Sequence, residues 1–267
     1  MMLNKALDMY KKIKTRVASF ITRDTFSFMF KDRREHLNFS KTLITIYKKP
    51  QHMSILGNYE LPTKVLESFN ESSLIITGGV EFHIEFEEML DDLTSAQFHF
   101  FEVDSRSISW FKEKYKEKKN FKIFEKGLGA TIGSLPVYGN VSMGWSSSVD
   151  PKIYNGSMLD WQEIGETEIT TIEQYCKNSN INKIDLLKLD IEGMAREVLI
   201  AAWDSNIFPL NILLEIERGE SEKFSDYKKD IDTFIDRAIQ HDYEIIFLER
   251  KDAFNSFTLE FFLSKKS

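Results

Sequence analysis

From residue 72 onward, short apolar runs alternate with segments in which apolar residues recur at helical spacing. Runs of this length are typical of strands buried in a parallel sheet, and their alternation with helices is typical of a doubly wound α/β sheet. Two later apolar runs, at 243–250 and 257–263, predict an antiparallel hairpin that closes the sheet. The strand-like runs before that hairpin lie at 73–77, 98–101, within 121–139, at 184–189 and at 212–217.

The start of the chain follows a different pattern. Residues 3–21 place apolar side chains at helical spacing, with lysine and arginine mostly off that stripe, which predicts an amphipathic basic helix. Such a helix could lie on an anionic membrane surface, but it more often packs on its own domain or on a second subunit. No long period is clear over 24–59. We therefore expect a mainly helical extension over 1–57 and one main domain over 58–267.

Charge divides the chain in the same way. The net charge is −7, but residues 1–50 carry +8 (12 Lys and Arg against 4 Asp and Glu) and the remainder carries −15 (23 against 38). An acidic main domain argues against a nucleic-acid partner. The single cysteine, Cys176, and the lack of any run of roughly 18 apolar residues favour a cytoplasmic protein, free or peripherally membrane-bound through residues 1–21. The oligomeric state stays open.

The candidate chemistry lies where the predicted strands end. Asp190 and Glu192 follow the run 184–189, and Glu215 and Glu217 end the run 212–217. Open α/β sheets bind their ligands at the carboxyl ends of the strands, so these acids are candidate site residues. The alternative is that Asp190 and Glu192 only begin a helix, since acids are favoured in a first turn.

Two earlier strand ends carry residues that suit a nucleoside. Gly78 and Gly79 follow the first strand and let the backbone turn sharply and approach a ligand, although glycine closes many ordinary loops as well. Glu102 follows the second strand, where a carboxylate can accept hydrogen bonds from both hydroxyls of a ribose. A solvated acid at a strand end is the alternative for Glu102.

The segment 183–199, KIDLLKLDIEGMAREVL, resembles the hallmark segment of the FkbM family of methyltransferases, which reads roughly iDllKxDxEGxExxvL. Ala195 stands where the family usually has an acid. The resemblance implies a class I fold that binds S-adenosyl-L-methionine, with a mostly parallel, seven-stranded Rossmann-like sheet, and usually methylation of a hydroxyl, often on a sugar. The residues that match are Asp185, Leu186, Leu187, Lys188, Asp190, Glu192, Gly193, Val198 and Leu199.

The resemblance also implies roles for the strand ends. In one FkbM-like branch the turn after the first strand reads G-x-G, and here Glu81 replaces the second glycine. Glu102 stands for the family's aspartate, and Glu217 lies where histidine is common. We expect catalytic roles for Asp190, Glu192 and Glu215. The expected cofactor-binding residues are Gly78, Gly79, Val80, Glu81, Glu102, Val103, Gly127, Leu128 and Asp190.

The sequence thus predicts an S-adenosyl-L-methionine-dependent O-methyltransferase that acts on a sugar hydroxyl of a glycan or glycan precursor. A sugar-nucleotide oxidoreductase or epimerase, and a non-catalytic protein on a degenerate methyltransferase fold, are the alternatives. Asp190, Glu192 and Glu215 could hold Mg²⁺ or Ca²⁺, but acceptor hydroxyls would use the same oxygens, so we assign no metal. Trp145, in a serine-rich loop, could cover a ligand.

Overall fold

The computed structural model describes residues 23–140, 147–149, 161–218, 222–248 and 258–266. The basic helix predicted over 3–21 and Trp145 lie outside these residues. The chain divides into two compact units between Thr42 and Leu43. The domain boundary expected at 57/58 stays a prediction.

A helix, α1 (Arg23–Ile46), occupies a stretch in which we found no clear period. No glycine or proline interrupts these 24 residues, and the helix ends four residues before Pro50. Absence of helix breakers was therefore a better guide here than periodicity. None of the helices in the described residues is long and apolar enough to cross a membrane.

An antiparallel hairpin follows, formed by β1 (Met53–Leu56) and β2 (Tyr59–Pro62). Leu56 pairs with Tyr59, so the turn is the two residues between them, and Gly57 takes a φ of +57° there. Glycine adopts this left-handed conformation without steric cost. A single helical turn, α2 (Thr63–Leu66), comes next. The second strand of this hairpin begins with Tyr59.

The main sheet has seven strands in the order β12-β13-β11-β10-β3-β4-β5. Neighbouring strands from β11 to β5 are parallel, and β13 runs antiparallel to both β11 and β12. This confirms the predicted doubly wound sheet with its closing hairpin. The strands are β3 (Leu74–Gly78), β4 (Gln97–Phe101), β5 (Phe121–Phe124), β10 (Leu186–Leu189), β11 (Asn211–Glu217), β12 (Tyr243–Leu248) and β13 (Thr258–Lys265).

Helices connect these strands at positions close to those that the periodicity predicts. Asp104 caps its helix by accepting a hydrogen bond from the Arg106 N–H, and Thr171, one of two threonines that suit the role, accepts from the Gln174 N–H. The helices are α3 (Glu85–Thr94), α4 (Ser105–Lys114), α5 (Ile172–Ser179), α6 (Ala195–Asp204) and α7 (Phe224–Gln240).

A second, four-stranded sheet lies in the chain between β5 and α5, where we expected only a turn and a loop. Its strand order is β6-β9-β7-β8, and a register shift between Val137 and Tyr138 interrupts the pairing of β7 with β9. Two of the strands are only two residues long, too short to give a pattern in sequence. The strands are β6 (Gly127–Leu128), β7 (Gly133–Asn140), β8 (Ser147–Ser148) and β9 (Trp161–Thr170).

Candidate active site

The turn after β3 is determined by a close backbone approach. Gly79 has a φ of +86°, and a Cβ atom there would lie 2.0 Å from the carbonyl oxygen of Asp190. The Asp190 N–H donates to the Gly78 carbonyl at 3.0 Å, and the Gly79 N–H donates to the Phe101 carbonyl at 3.0 Å. The glycine is therefore required by the neighbouring strand end itself, a reason that the sequence pattern did not reveal.

Glu81 adopts a left-handed backbone conformation, which glycine takes more readily than other residues. Its φ is +48°, in the left-handed region that costs a residue with a side chain about 1–2 kcal/mol. Burial raises the pKa of its carboxyl group to about 8, and the negative charges of Asp190, Glu192 and Glu102 add to this effect, while Lys188 opposes it. Near pH 7 the Glu81 carboxyl group is therefore mostly protonated.

Glu102 is held by four backbone N–H groups. Its Oε2 accepts hydrogen bonds from Val80 and Glu81, each at 2.9 Å, and its Oε1 accepts from Val103 at 2.6 Å and Asp104 at 2.9 Å. The side chain is only 5% exposed; burial raises its pKa and the four hydrogen bonds oppose that rise. Glu102 thus ties the β3 turn to the end of β4. The binding of ribose hydroxyls by Glu102 stays a prediction. These hydroxyls would donate to carboxylate oxygens that already accept backbone hydrogen bonds.

Asp190 follows β10 and is contacted by two side chains on one oxygen. The Tyr59 hydroxyl donates a hydrogen bond to its Oδ2, and Lys188 Nζ lies 3.9 Å from the same atom. The ammonium group also lies 4.6 Å from the centroid of the Tyr59 ring, which is a favourable position for a cation. Asp190 is thereby oriented by a hairpin that precedes it by 131 residues.

Lys188 is a buried cation below this site. Its Nζ lies 3.4 Å from Glu87 Oε1, and the same oxygen accepts a hydrogen bond from Thr77 Oγ1 at 3.0 Å. Burial alone would lower the pKa of Lys188, but the charges of Glu87 and Asp190 outweigh it and raise the pKa. The lysine therefore stays charged and compensates part of the negative charge around it.

Glu192 and Glu217 form a carboxyl pair. Burial raises the pKa of Glu217 well above its ordinary value, and the charge of Glu192 and a hydrogen bond between the two side chains raise it further. Two carboxyl groups can share a hydrogen bond only if one is protonated. One carboxyl group of the pair therefore carries the shared proton. The Glu192 carbonyl also accepts a hydrogen bond from Ser148 Oγ at 2.9 Å.

Two cavities open at this edge of the sheet. The first brings together most of the predicted cofactor-binding residues, with Phe101 and Met194 as additional apolar walls. The second is bordered by the side of the hairpin and by several carboxyl groups, Glu87 and Glu215 among them. The predicted residues in the first cavity are Gly79, Glu81, Glu102, Val103, Gly127, Leu128, Asp190 and Glu192.

The two cavities share four residues, Gly79, Glu81, Asp190 and Glu192. Two predicted cofactor residues lie elsewhere. Val80 borders only the second cavity, and Gly78 borders neither, because a Cβ on Gly78 would already lie 3.1 Å from the side chains of Leu128 and Ile191. Among the described residues, no group of three or more His, Cys, Asp or Glu side chains is arranged to hold a metal ion.

The Methyltransferase FkbM domain model matches residues 83–245, which is more than half of the chain. The chain belongs to the FkbM methyltransferase family. This confirms the predicted family, with its class I fold and with S-adenosyl-L-methionine as the cofactor. Among curated proteins, no relative matches the sequence.

Solved structures resemble this FkbM methyltransferase family member at low sequence identity. An rRNA methylase from Streptococcus thermophilus is 9% identical over 76% of this chain and 92% of its own, with a TM-score of 0.42. Fibrillarin from Methanococcus jannaschii is 10% identical over 83% and 84%, with a TM-score of 0.45. Fibrillarin from Aeropyrum pernix, with natively bound S-adenosyl-L-methionine, is 12% identical over 73% and 67%, with a TM-score of 0.41.

The residues of the first cavity fit the family's cofactor. Phe101, Val103, Leu128 and Met194 offer apolar surface for a nucleobase, while Glu81 and other carboxyl groups offer partners for a positive charge. A Cβ on Gly127 would lie 2.5 Å from Ile169 Cδ1 and 3.1 Å from Val103 Cγ1, so this wall is already closely packed. The chemistry of the lining therefore suits a cationic nucleoside.

Three site residues of this family member received no role from the sequence. Tyr59 lies outside any motif and before the family match. Lys188 and Glu87 match family positions, yet only their burial shows what they do. A lysine inside an otherwise apolar strand was the available signal, because lysine is almost never fully buried without a partner.

Proposed function

We propose that the protein transfers the methyl group of S-adenosyl-L-methionine to a hydroxyl group, in a sugar of a glycan or glycan precursor. The observation that carries this proposal is the meeting of two cavities at Asp190: one suits the cofactor, and the other is polar and suits an acceptor. Methyl transfer requires donor and acceptor to be held side by side, and this is the place where the two cavities adjoin.

When bound, the cofactor supplies a methyl group already activated by a positively charged sulfur. What is left to the protein is to orient the acceptor and to remove its proton. We assign to Asp190 the role of the general base that removes the proton of the acceptor hydroxyl. Tyr59 and Lys188 both contact Oδ2, so Oδ1 is the oxygen to which we assign the proton of the acceptor hydroxyl. The fixed orientation of the carboxylate favours that transfer because a general base must lie within hydrogen-bond reach.

The other acids of the second cavity suit a polyhydroxyl acceptor. Glu192 and Glu215 present carboxyl oxygens that can accept hydrogen bonds from neighbouring hydroxyls. An anionic acceptor, such as a nucleic acid, would meet this negative lining at a Coulomb cost, which supports a neutral small-molecule or glycan acceptor.

The cytoplasmic location, and the contact of residues 1–21 with a membrane surface or a second subunit, are part of the same proposal. The location rests on the single cysteine and on the lack of a long apolar run, and the contact of residues 1–21 rests on the basic, amphipathic sequence of that segment.

Transfer of label tests the function. The protein is incubated with S-adenosyl-L-methionine that carries a tritiated methyl group, and with glycans from cells that lack the protein. The glycans are then hydrolysed in acid. We expect label in a methylated sugar, stable to mild base as an ether is, and none with the Asp190→Asn variant. Base-labile label would indicate a methyl ester, and label in protein or nucleic acid would overturn the acceptor class. Binding of S-adenosylhomocysteine without any transfer would favour a non-catalytic role.

A further inference from the structure

Glu81 lies at the junction of the two cavities, with its backbone fixed in place. Its N–H donates to Glu102 Oε2 at 2.9 Å, and its φ of +48° holds the residue in a conformation that side chains rarely adopt. The side chain borders the cavity that suits the cofactor and the one that suits the acceptor. A strained residue at a ligand junction is where a functional constraint is expected.

The charges around Glu81 are mostly negative. Asp190 and Glu192 face it from the end of β10, and Glu102 faces it from the end of β4. The positive charge of Lys188 lowers the pKa of Glu81, but Lys188 Nζ is paired with Glu87 at 3.4 Å. The remaining titratable groups of the second cavity are Tyr59, His83, Glu85, Glu87 and Glu215.

Within the described residues, this surrounding leaves the negative charges near Glu81 in excess. Burial has the largest effect on the pKa of Glu81, and the three neighbouring carboxylates add to it. Together they raise the pKa to about 8, so the Glu81 carboxyl group is about nine-tenths protonated at pH 7. A cation that entered the first cavity would reverse this balance, because a positive charge near a carboxyl group favours the ionised form.

We propose that Glu81 is the countercharge of the bound methyl donor and that it releases its proton to solvent as the donor binds. This inference rests on the proposed function, from which the cationic donor comes. Methyl transfer removes the positive charge from sulfur, and Glu81 then faces its carboxylate neighbours alone again and takes a proton back. The residue therefore favours the cationic donor over the neutral thioether product, at a position where the family motif has glycine.

Isothermal titration calorimetry tests the proton release without any acceptor. S-adenosylmethionine is titrated into the full chain at pH 7 in two buffers with different ionisation heats, which gives the number of protons released. We expect about 0.9 proton for the wild type. Between pH 6 and pH 8 the affinity should rise more than about tenfold, since protonated Glu81 competes with the cation. S-adenosylhomocysteine should show a smaller rise.

Matched variants assign the effect to Glu81. Glu81→Gln keeps the shape of the side chain but cannot ionise. Donor binding to this variant should release no proton, and its affinity for the donor should not rise with pH. At pH 8 the variant should bind the donor at least about tenfold more weakly than the wild type. Glu81→Asp keeps the carboxylate and should keep most of the proton release. Glu113→Gln, an exposed acid on α4, should match the wild type.

The outcomes separate this inference from the proposed function. Donor binding that releases no proton in the wild type, or the same number of protons in Glu81→Gln, overturns the role of Glu81 and leaves the methyltransferase proposal standing. If the wild type binds neither ligand between pH 6 and pH 8, both are wrong.

Discussion

Glu102 and Asp190 occupy equivalent places in the fold, each directly after a parallel strand at the same edge of the sheet. Glu102 is 5% exposed, and all of its hydrogen bonds described above come from backbone N–H groups. Asp190 is contacted by the side chains of Tyr59 and Lys188 instead. The comparison shows that two acids at equivalent strand ends can have quite different hydrogen-bond partners.

The partners make the difference. Backbone donors are held by secondary structure, so a carboxylate that fills its lone pairs with them cannot easily take up a proton or a substrate. Side-chain contacts on one oxygen orient the group and leave the other oxygen for chemistry. Mutations at each carboxylate and at its partners should therefore affect different measurements.

The largest effect is expected for Asp190→Asn. Asparagine keeps the size and can still accept the Tyr59 hydrogen bond, but it cannot take a proton, so methyl transfer should fall by about 10²–10⁴-fold. Folding stability and affinity for S-adenosylhomocysteine should change little. Turnover within a few-fold of the wild type across pH would remove Asp190 as the base, and loss of the cofactor would assign it to binding.

Glu102→Ala should act on the fold. The substitution leaves four N–H groups with only water as a partner, and we expect a loss of about 3 kcal/mol or more in the free energy of unfolding, measured in urea. Glu125→Ala provides the control, since its carboxylate is 58% exposed and pairs with Lys112, and an exposed pair contributes about 0–1 kcal/mol. Equal stability of the two variants would contradict the structural role of Glu102.

Tyr59→Phe removes the side-chain partner of Asp190. Without the hydroxyl the carboxylate is less well oriented, so kcat should fall by about tenfold, while stability falls by about 1 kcal/mol. Tyr115→Phe is the matched control: its hydroxyl donates to Glu88 at 2.9 Å, outside both cavities, so the stability loss should be similar and kcat unchanged. An equal kcat for both variants would show that Tyr59 only stabilises the fold.

A further effect concerns pH and the free protein. The pKa of Glu81 is about 8 in the folded chain against about 4.3 in an unfolded one, so the folded state binds more protons between these values. Stability contributed by protonated Glu81 is thus present below about pH 4 and is lost as pH rises toward 8. Urea midpoints should fall over pH 5–8, less steeply for Glu81→Gln. If the urea midpoints of variant and wild type fell equally steeply with pH, the titrating proton would belong to a group other than Glu81.

Much of the fold could be predicted from the chain alone. Most residues of β3, β10, β11 and the closing hairpin of β12 and β13 are buried, and strands that are buried on both faces have mainly apolar sequences. The two-residue strands β6 and β8 carry no such signal. Helix α1 lies within the expected helical extension, but its bounds were not predicted because its stretch lacks a clear apolar period.

The sequence by itself determined the family and the strand ends that bear acids, because the hallmark segment and the apolar runs are local patterns. Only the tertiary structure decided what each acid does. Tyr59 and Asp190 are 131 residues apart in the sequence. The donors around Glu102 are backbone N–H groups, which nearly every residue has, so no residue type in the sequence identifies them. The left-handed turn at Gly79 likewise follows from the close approach of its backbone to the carbonyl oxygen of Asp190. Long-range contacts and burial set these properties, and neither can be read from neighbouring residues.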